Sequence, residues 1–290
     1  MTRSLRHVGV ALRPVARAEA VLTDGEHLGI PLALAMRALG ISAPHLMIGH
    51  HLTTTAKVPC FRVLHAERRI DRILVHSTRQ LRLARRRLGL ANGKVELVHY
   101  GVDTDFWAPQ AVAEEPLIAA PGREHRDYRS LAEACATLPA RVFVSDASLH
   151  NPGARRSAPI NWPVSVQRGR VGYQELRQIY ARAQVVVVPL IETDFPAGVT
   201  TVLEAMAMGK PTVVSATQGL AGVVLDGETG VLVPPGDPRA LGSALRTLLE
   251  SPAQRRRLGG NARDEAVARF SLRLYAGRLA QDLADLASHR

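Results

Sequence analysis

Residues 194–219, DFPAGVTTVLEAMAMGKPTVVSATQG, hold the densest set of groups able to do chemistry. Gly198 lets backbone come close to a ligand. Val199, Thr200 and Thr201 open a helix, and amides in a first turn have no intrahelical partner. Those amides and the positive end of the helix dipole form a ready site for a phosphate. Glu204 lies about one turn along, within reach of the same ligand. A carboxylate there can accept two hydrogen bonds from a ribose diol. Gly209 closes the helix, and Lys210-Pro211 opens a strand. The other reading is an ordinary strand–loop–helix–strand unit with a surface glutamate, and the residue types alone leave both open.

A second group of candidates lies early in the chain. His50 and His51 follow a strand, where a neutral imidazole can hydrogen-bond a hydroxyl or stabilise charge at a reacting centre. They can equally be polar loop residues. Asp24 and Glu26 stand at a strand's carboxyl end, and capping of the next helix is expected of them rather than ligand binding. His76 and His99 sit at strand ends and read as structural. No HExxH occurs, and no acidic DxD pair stands on a loop before a small residue, so no metal site is expected.

These groups must be carried by strands alternating with helices. The opening residues read as an amphipathic helix. Strands are expected at Ala20–Asp24, His45–His50, Arg72–Ser77 and Val95–Asp103, with helices at Pro31–Gly40, Val63–Arg69 and Thr78–Leu88, the last capped by Ser77. Asp105–Pro116 reads as a linker. Alternation then resumes: strand Leu117–Gly122, helix Tyr128–Thr137, strand Arg141–Asp146, an irregular stretch Asn151–Pro163, a short strand Val164–Gln167 and helix Tyr173–Ala183. The strand Gln184–Leu190 contains four consecutive valines, the mark of a strand buried on both faces. Helix Thr200–Met208, strands Pro211–Ser215 and Gly230–Pro235, and helices Pro238–Glu250, Pro252–Phe270 and Leu272–Ala287 complete the pattern. Such alternation specifies an α/β fold with parallel sheets, here two Rossmann-like doubly wound domains whose ligands sit at the carboxyl ends of strands. The expected division is 1–110, 111–271 and a final helix, 272–290, that crosses back to the first domain.

Composition narrows the partners. The chain has 290 residues with 46% hydrophobic, ample for two cores of about 150 residues each. Two cysteines exclude a disulfide framework and a cysteine-based zinc site. There is no apolar run long enough to span a membrane. Aromatics make up only 4%, which argues against base-stacking platforms, so no nucleic-acid partner is expected. Net charge is +11, and of 37 basic residues only Lys57, Lys94 and Lys210 are lysine. Residues 1–110 carry 16 bases and 8 acids, a net +8, leaving +3 for the rest. The excess reflects either a GC-rich coding sequence or attraction to anions, whether nucleotide phosphates or an anionic membrane surface reached through Arg79–Arg87.

VLEAMAMGKPTVV resembles the signature of the retaining glycosyltransferases of family 4, which have the GT-B fold. The resemblance runs from about Asp24 to the C-terminus. It takes in HYGVDTDFWAP (His99–Pro109), GREHRDYRSLAEA (Gly122–Ala134), VGYQELRQIYARAQVVVVPL and the tail GETGVLVPPGDPRALGSALRTLLESPAQRRRLGGNAR. It implies a metal-independent, retaining transferase that uses a nucleotide-diphospho-sugar and no resident cofactor, with an acceptor the motifs do not name. Attack on the front face is implied, with the leaving phosphate taking the acceptor proton. Arg123 matches the family's arginine and Arg126 stands near its lysine, both implied to hold the diphosphate. Gly198, Val199, Thr200 and Thr201 match the phosphate loop, Glu204 the ribose carboxylate, and His50 and His51 a histidine near the donor sugar. The family's other glutamate would fall at Pro196, with Glu192 and Asp194 nearby at the wrong spacing. The first domain also reads as short, as if one or more opening β–α units were missing. The alternative expectation is therefore a degenerate or truncated, nucleotide-binding relative. The expected location is the cytoplasm, peripheral to the inner membrane face.

Overall fold

The fold comes from a computed structural model, which describes residues 2–145 and 160–288, with side chains of the first helix taken from Val8 on. The chain divides into two compact units: residues through His99 with those from Tyr275 on, and Tyr100–Leu274. The expected linker at Asp105–Pro116 thus lies inside the second unit.

The first unit opens with helix α1 (Thr2–Val15). Strand β1 (Val21–Asp24), helix α2 (Glu26–Ala38) and β2 (His45–Gly49) follow. Then come α3 (Val58–Arg62), β3 (Arg72–Val75), α4 (Thr78–Leu83) and β4 (Val95–Leu97). The four described strands are parallel and ordered β1-β2-β3-β4. One face packs Met47, Ile73 and Val75 against Ile30 and Ala33 of α2. The other packs Leu46, Leu74 and Val98 against Tyr275, Leu279, Leu283 and Leu286. Those four belong to α10 (Leu272–Ser288), whose Asp282 accepts from Arg72 Nη1 at 2.5 Å and from Arg278 Nε at 2.9 Å.

Three expectations change here. No continuous helix spans Val63–Arg69: α3 lies earlier, His65 takes a left-handed conformation (φ 49) that breaks any continuation, and only a short 3-10 turn follows at Ala66–Arg69. β4 is an edge strand of three residues instead of reaching Asp103, because its ladder with β3 ends at Val75–Leu97. The helix after Ser77 turns π-helical at Ala84–Leu88 before Gly89, while Ser77 does cap it by accepting from Gln80 N at 3.1 Å.

The second unit contains β5 (Glu115–Pro121), α5 (Tyr128–Cys135), β6 (Arg141–Ser145), β7 (Val166–Gly169), α6 (Tyr173–Arg182) and β8 (Ala183–Val188). It continues with α7 (Val199–Ala207), β9 (Thr212–Ser215), β10 (Val231–Val233), α8 (Pro238–Glu250) and α9 (Pro252–Arg269). Its six described strands are parallel in the order β10-β9-β8-β5-β6-β7. The valine run behaves as expected. Val185 and Val187 pack toward Leu131, Leu241 and Leu245, while Val186 and Val188 pack toward Leu203, Met206 and Ala262. Each such valine contributes about 1.5–3 kcal/mol by leaving water. Of the irregular Asn151–Pro163 stretch, residues 151–159 lie outside the described residues.

The order of this sheet fixes where a ligand can sit. From β5 the chain winds outward through β6 and β7; from β8 it winds the other way through β9 and β10. The loops leaving β5 and β8 therefore part at the switch point, opening a crevice at the strands' carboxyl ends.

Candidate functional site

The loop after β5 is tied to the ends of β6 and β8. Gly122 N donates to Ser145 O at 2.9 Å, Asp127 N to Pro189 O at 2.9 Å and Ile191 N to His125 O at 3.1 Å. Asp127 then caps α5, accepting from Ser130 N at 3.1 Å and Ser130 Oγ at 2.6 Å. This frame holds Arg126. Its Nε donates to Pro121 O at 3.2 Å, and Nη1 donates to Glu124 O at 3.0 Å. Nη2 donates to Pro121 O at 3.1 Å and to Thr201 Oγ1 at 3.0 Å.

An arginine has five N–H groups, so one, on Nη1, is left without a partner among the described residues. That nitrogen lies beside Gly198: a Cβ there would stand 2.9 Å from Nη1 and 3.0 Å from a Val188 methyl. Gly122 is bound to glycine by the same guanidinium, since its Cβ would clash with Nη2. Gly198 also takes φ +77, where a side chain is strained. Arg126 is thus a brace between the β5 loop and the start of α7 with one N–H to spare. Burial pulls its pKa below the ordinary value, opposed by Tyr128, Tyr180, Glu124 and Glu204. Arg123, three residues earlier, is half-buried and makes no hydrogen bond or ion pair with another described residue.

At the start of α7, Val199 N is taken by Pro196 O at 3.2 Å. The amides of Thr200 and Thr201 belong to the first turn and face no preceding turn. Thr200 is exposed and Thr201 buried. Glu204 stacks on the same face, three residues after Thr201 and four after Thr200. Its Oε2 accepts from the Tyr180 hydroxyl at 3.1 Å. Burial raises the Glu204 carboxyl to about 7, against the pull of the Tyr180 hydrogen bond and the Arg126 charge. Burial and the Glu204 charge push Tyr180 well above its ordinary range, so it stays a donor.

The second unit therefore gathers Arg123, Arg126, Gly198, Val199, Thr200, Thr201 and Glu204 at one switch point. Val199 differs from the others, because its amide is already spent inside the loop. At the departed position, Pro196 is buried, and Glu192 Oε1 accepts from Gln218 N at 2.9 Å. Sequence reasoning missed Tyr180. A tyrosine between buried Ile179 and Ala181 could have signalled it, since a buried hydroxyl needs a partner.

His50 and His51 lie in the first unit, where Glu26 organises them. Glu26 is 5% exposed; it accepts from His50 N at 2.9 Å, His51 N at 3.1 Å and Lys57 Nζ at 2.5 Å. Burial alone would raise this carboxyl, but Lys57 and the backbone donors hold it below its ordinary value. The cap of α2 is Gly25, with no side-chain hydrogen bond, so neither Asp24 nor Glu26 caps as expected. Asp24 Oδ1 instead meets His50 Nε2 at 2.8 Å. An ionised carboxylate only accepts, so Nε2 carries the proton. His76 packs 5.4 Å from His50, and burial lowers its pKa to about 4. Among the described residues no group of three His, Cys, Asp or Glu could hold a metal ion, and no helix is long and apolar enough to cross a membrane.

Comparison with known proteins agrees with this geometry. The family model described as glycosyl transferases group 1 matches residues 117–251. A D-inositol 3-phosphate glycosyltransferase of Nocardioides sp. is 32% identical over 203 residues, covering 63% of this chain and 40% of that protein. An MMP alpha-(1->4)-mannosyltransferase of Mycolicibacterium hassiacum is 41% identical over 108 residues, 36% of this chain and 25% of that protein. The chain thus spans well under half the length of these curated relatives. Among solved structures, sucrose-phosphate synthase from Thermosynechococcus elongatus superposes with a TM-score of 0.82 at 23% identity, over 98% of this chain and 78% of that one. Anabaena HepE in complex with UDP and glucose gives 0.78 at 17% identity, over 96% and 80%. The likeness shows the fold: α/β, with two parallel sheets, as in GT-B transferases.

Proposed function

We propose, on the premise that residues 117–251 belong to the glycosyl transferases group 1 family, that this chain moves a sugar from a nucleotide-diphospho-sugar to an acceptor. The observation that carries the reading is the cluster at the switch point: Arg126 bonded to Thr201 at 3.0 Å, with Glu204 one turn along and half-buried. In this reading the amides of Thr200 and Thr201 and the last N–H of Arg126 take the diphosphate, and Arg123 closes on its other side. Glu204 takes the ribose. Guanidinium groups and the helix dipole neutralise the leaving charge, so the reaction runs without a metal. Transfer retains anomeric configuration, with the leaving phosphate accepting the acceptor's proton. His50 and His51 are the proposed catalytic groups, Asp24 fixing the His50 tautomer and Glu26 the loop that bears both.

HepE, solved with UDP and glucose, makes uridine diphosphate the first donor nucleotide to try. The names of the relatives make phosphorylated polyols and sugars the first acceptors to try. The exposed arginines near α4 suit an anionic membrane surface on the cytoplasmic side.

A panel of labelled UDP-, GDP- and ADP-sugars, each with and without inositol phosphate and hexose phosphates, tests the assignment. Sugar release or transfer from at least one donor is expected. Nucleotide binding with no turnover on any donor would replace it with a degenerate, nucleotide-binding protein.

A further inference from the structure

We infer that Tyr180 is a positioning residue for ribose recognition, acting through Glu204. The inference rests on the nucleotide reading above and goes beyond it. Tyr180 is fully buried, and its hydroxyl reaches Glu204 Oε2 at 3.1 Å. No other described residue donates to Glu204, so Oε1 is left for a ligand. The tyrosine is itself held from behind. Its ring centroid lies 5.5 Å from that of Trp107, which stands 4.9 Å edge-on to Phe106. Trp107 is fixed in turn, for Arg263 Nη1 donates to the carbonyls of Thr104, Trp107 and Ala207 at 3.0, 3.2 and 2.7 Å.

A carboxylate on a flexible glutamate stem has several rotamers. A donor fixed in the core removes that freedom at one oxygen and turns the other toward the crevice. A ribose diol then meets an acceptor already oriented, and the ordering cost of binding falls. The same hydrogen bond favours the ionised carboxylate, the stronger acceptor for the two hydroxyls. Tyr180 touches no ligand in this account.

The test compares uridine diphosphate with its 2′,3′-dideoxy analogue by titration calorimetry, on the full chain and on Tyr180→Phe. Phenylalanine keeps the ring against Trp107, and thermal melts confirm the fold. The wild type is expected to prefer the ribose form by about tenfold or more, the worth of hydrogen bonds to a charged group. In Tyr180→Phe the preference drops to about twofold, while affinity for the dideoxy analogue is unchanged within about twofold. Combined with Glu204→Gln, the two losses are not additive, as expected of residues acting in series.

Equal losses for both ligands in Tyr180→Phe would mark the tyrosine as structural only and overturn the inference. So would a ribose preference that survives the substitution. A wild type that binds UDP with no ribose preference would instead remove the role given to Glu204. A wild type that binds no nucleoside diphosphate would remove the nucleotide reading itself.

Discussion

At the scale of single residues, two carboxylates of one chain are pushed in opposite directions, and their surroundings explain it. Glu26 has an ammonium and two backbone N–H groups aimed at it and is held below its ordinary pKa. Glu204 has one phenol and a more remote guanidinium, and burial wins, raising it to about 7. The sign for stability follows. Between about pH 4.5 and 7 the folded state keeps a proton on Glu204 that the unfolded chain has released, so folding weakens as pH rises through that window, by up to about 1.4 kcal/mol per pH unit. His76, lowered to about 4, works the other way: the unfolded chain binds the extra proton, so stability is lost as pH falls from about 6.5 toward 4. The difference between wild type and Glu204→Gln cancels the histidine and isolates the glutamate. Urea unfolding at pH 5, 6, 7 and 8 should show the variant gaining on the wild type up to about pH 7 and levelling off above it. A difference that does not change with pH would contradict the environment assigned to Glu204. The types and spacing of Gly198, Thr201 and Glu204 were legible in the sequence. The Arg126–Thr201 and Tyr180–Glu204 contacts were not, because each joins residues 75 or 24 positions apart that only the sheet brings together.

At the scale of elements, the period of the apolar residues found most strands and helices, while short pieces escaped it. Val63 and Leu64 suggested a helix, yet they are 68% and 48% exposed. The helix lies one step earlier, where Pro59 stands near its start, a position proline favours. The α4 turn was legible through its Ser77 cap, but not its passage into a π turn, which depends on packing. That turn has a consequence of its own. Arg82, Arg85, Arg86 and Arg87 are exposed, and no acid occurs between Asp71 and Glu96. Arg62 adds to the cluster, its guanidinium donating to the carbonyls of Arg86 and Arg87 at 3.0 Å each. Each arginine near an anionic surface contributes about 1 kcal/mol, so replacing Arg85 and Arg86 by alanine should weaken pelleting with anionic vesicles about thirtyfold. Pelleting that is equal on neutral and anionic vesicles would remove the membrane role.

At the scale of the whole chain, two α/β runs were visible in the alternation of elements, but the seam between them was not. Asp105–Pro116 has little periodicity and reads as a linker. Trp107 is nevertheless 5% exposed in the core of the second unit, alongside Tyr180 and Met206. The reversal of strand order between β5 and β8 could not be read from the sequence either, since parallel strands carry no mark of their neighbours. Yet that reversal makes the loops of Arg126 and Gly198 neighbours, and the whole functional reading depends on it. The most direct measurement is a crystal structure of the full chain soaked with uridine, guanosine or adenosine diphosphate. The account predicts a diphosphate on the amides of Thr200 and Thr201, within reach of Arg123, and ribose hydroxyls on Glu204. A nucleotide bound elsewhere, or a crevice filled by neighbouring side chains at saturating ligand, would contradict it.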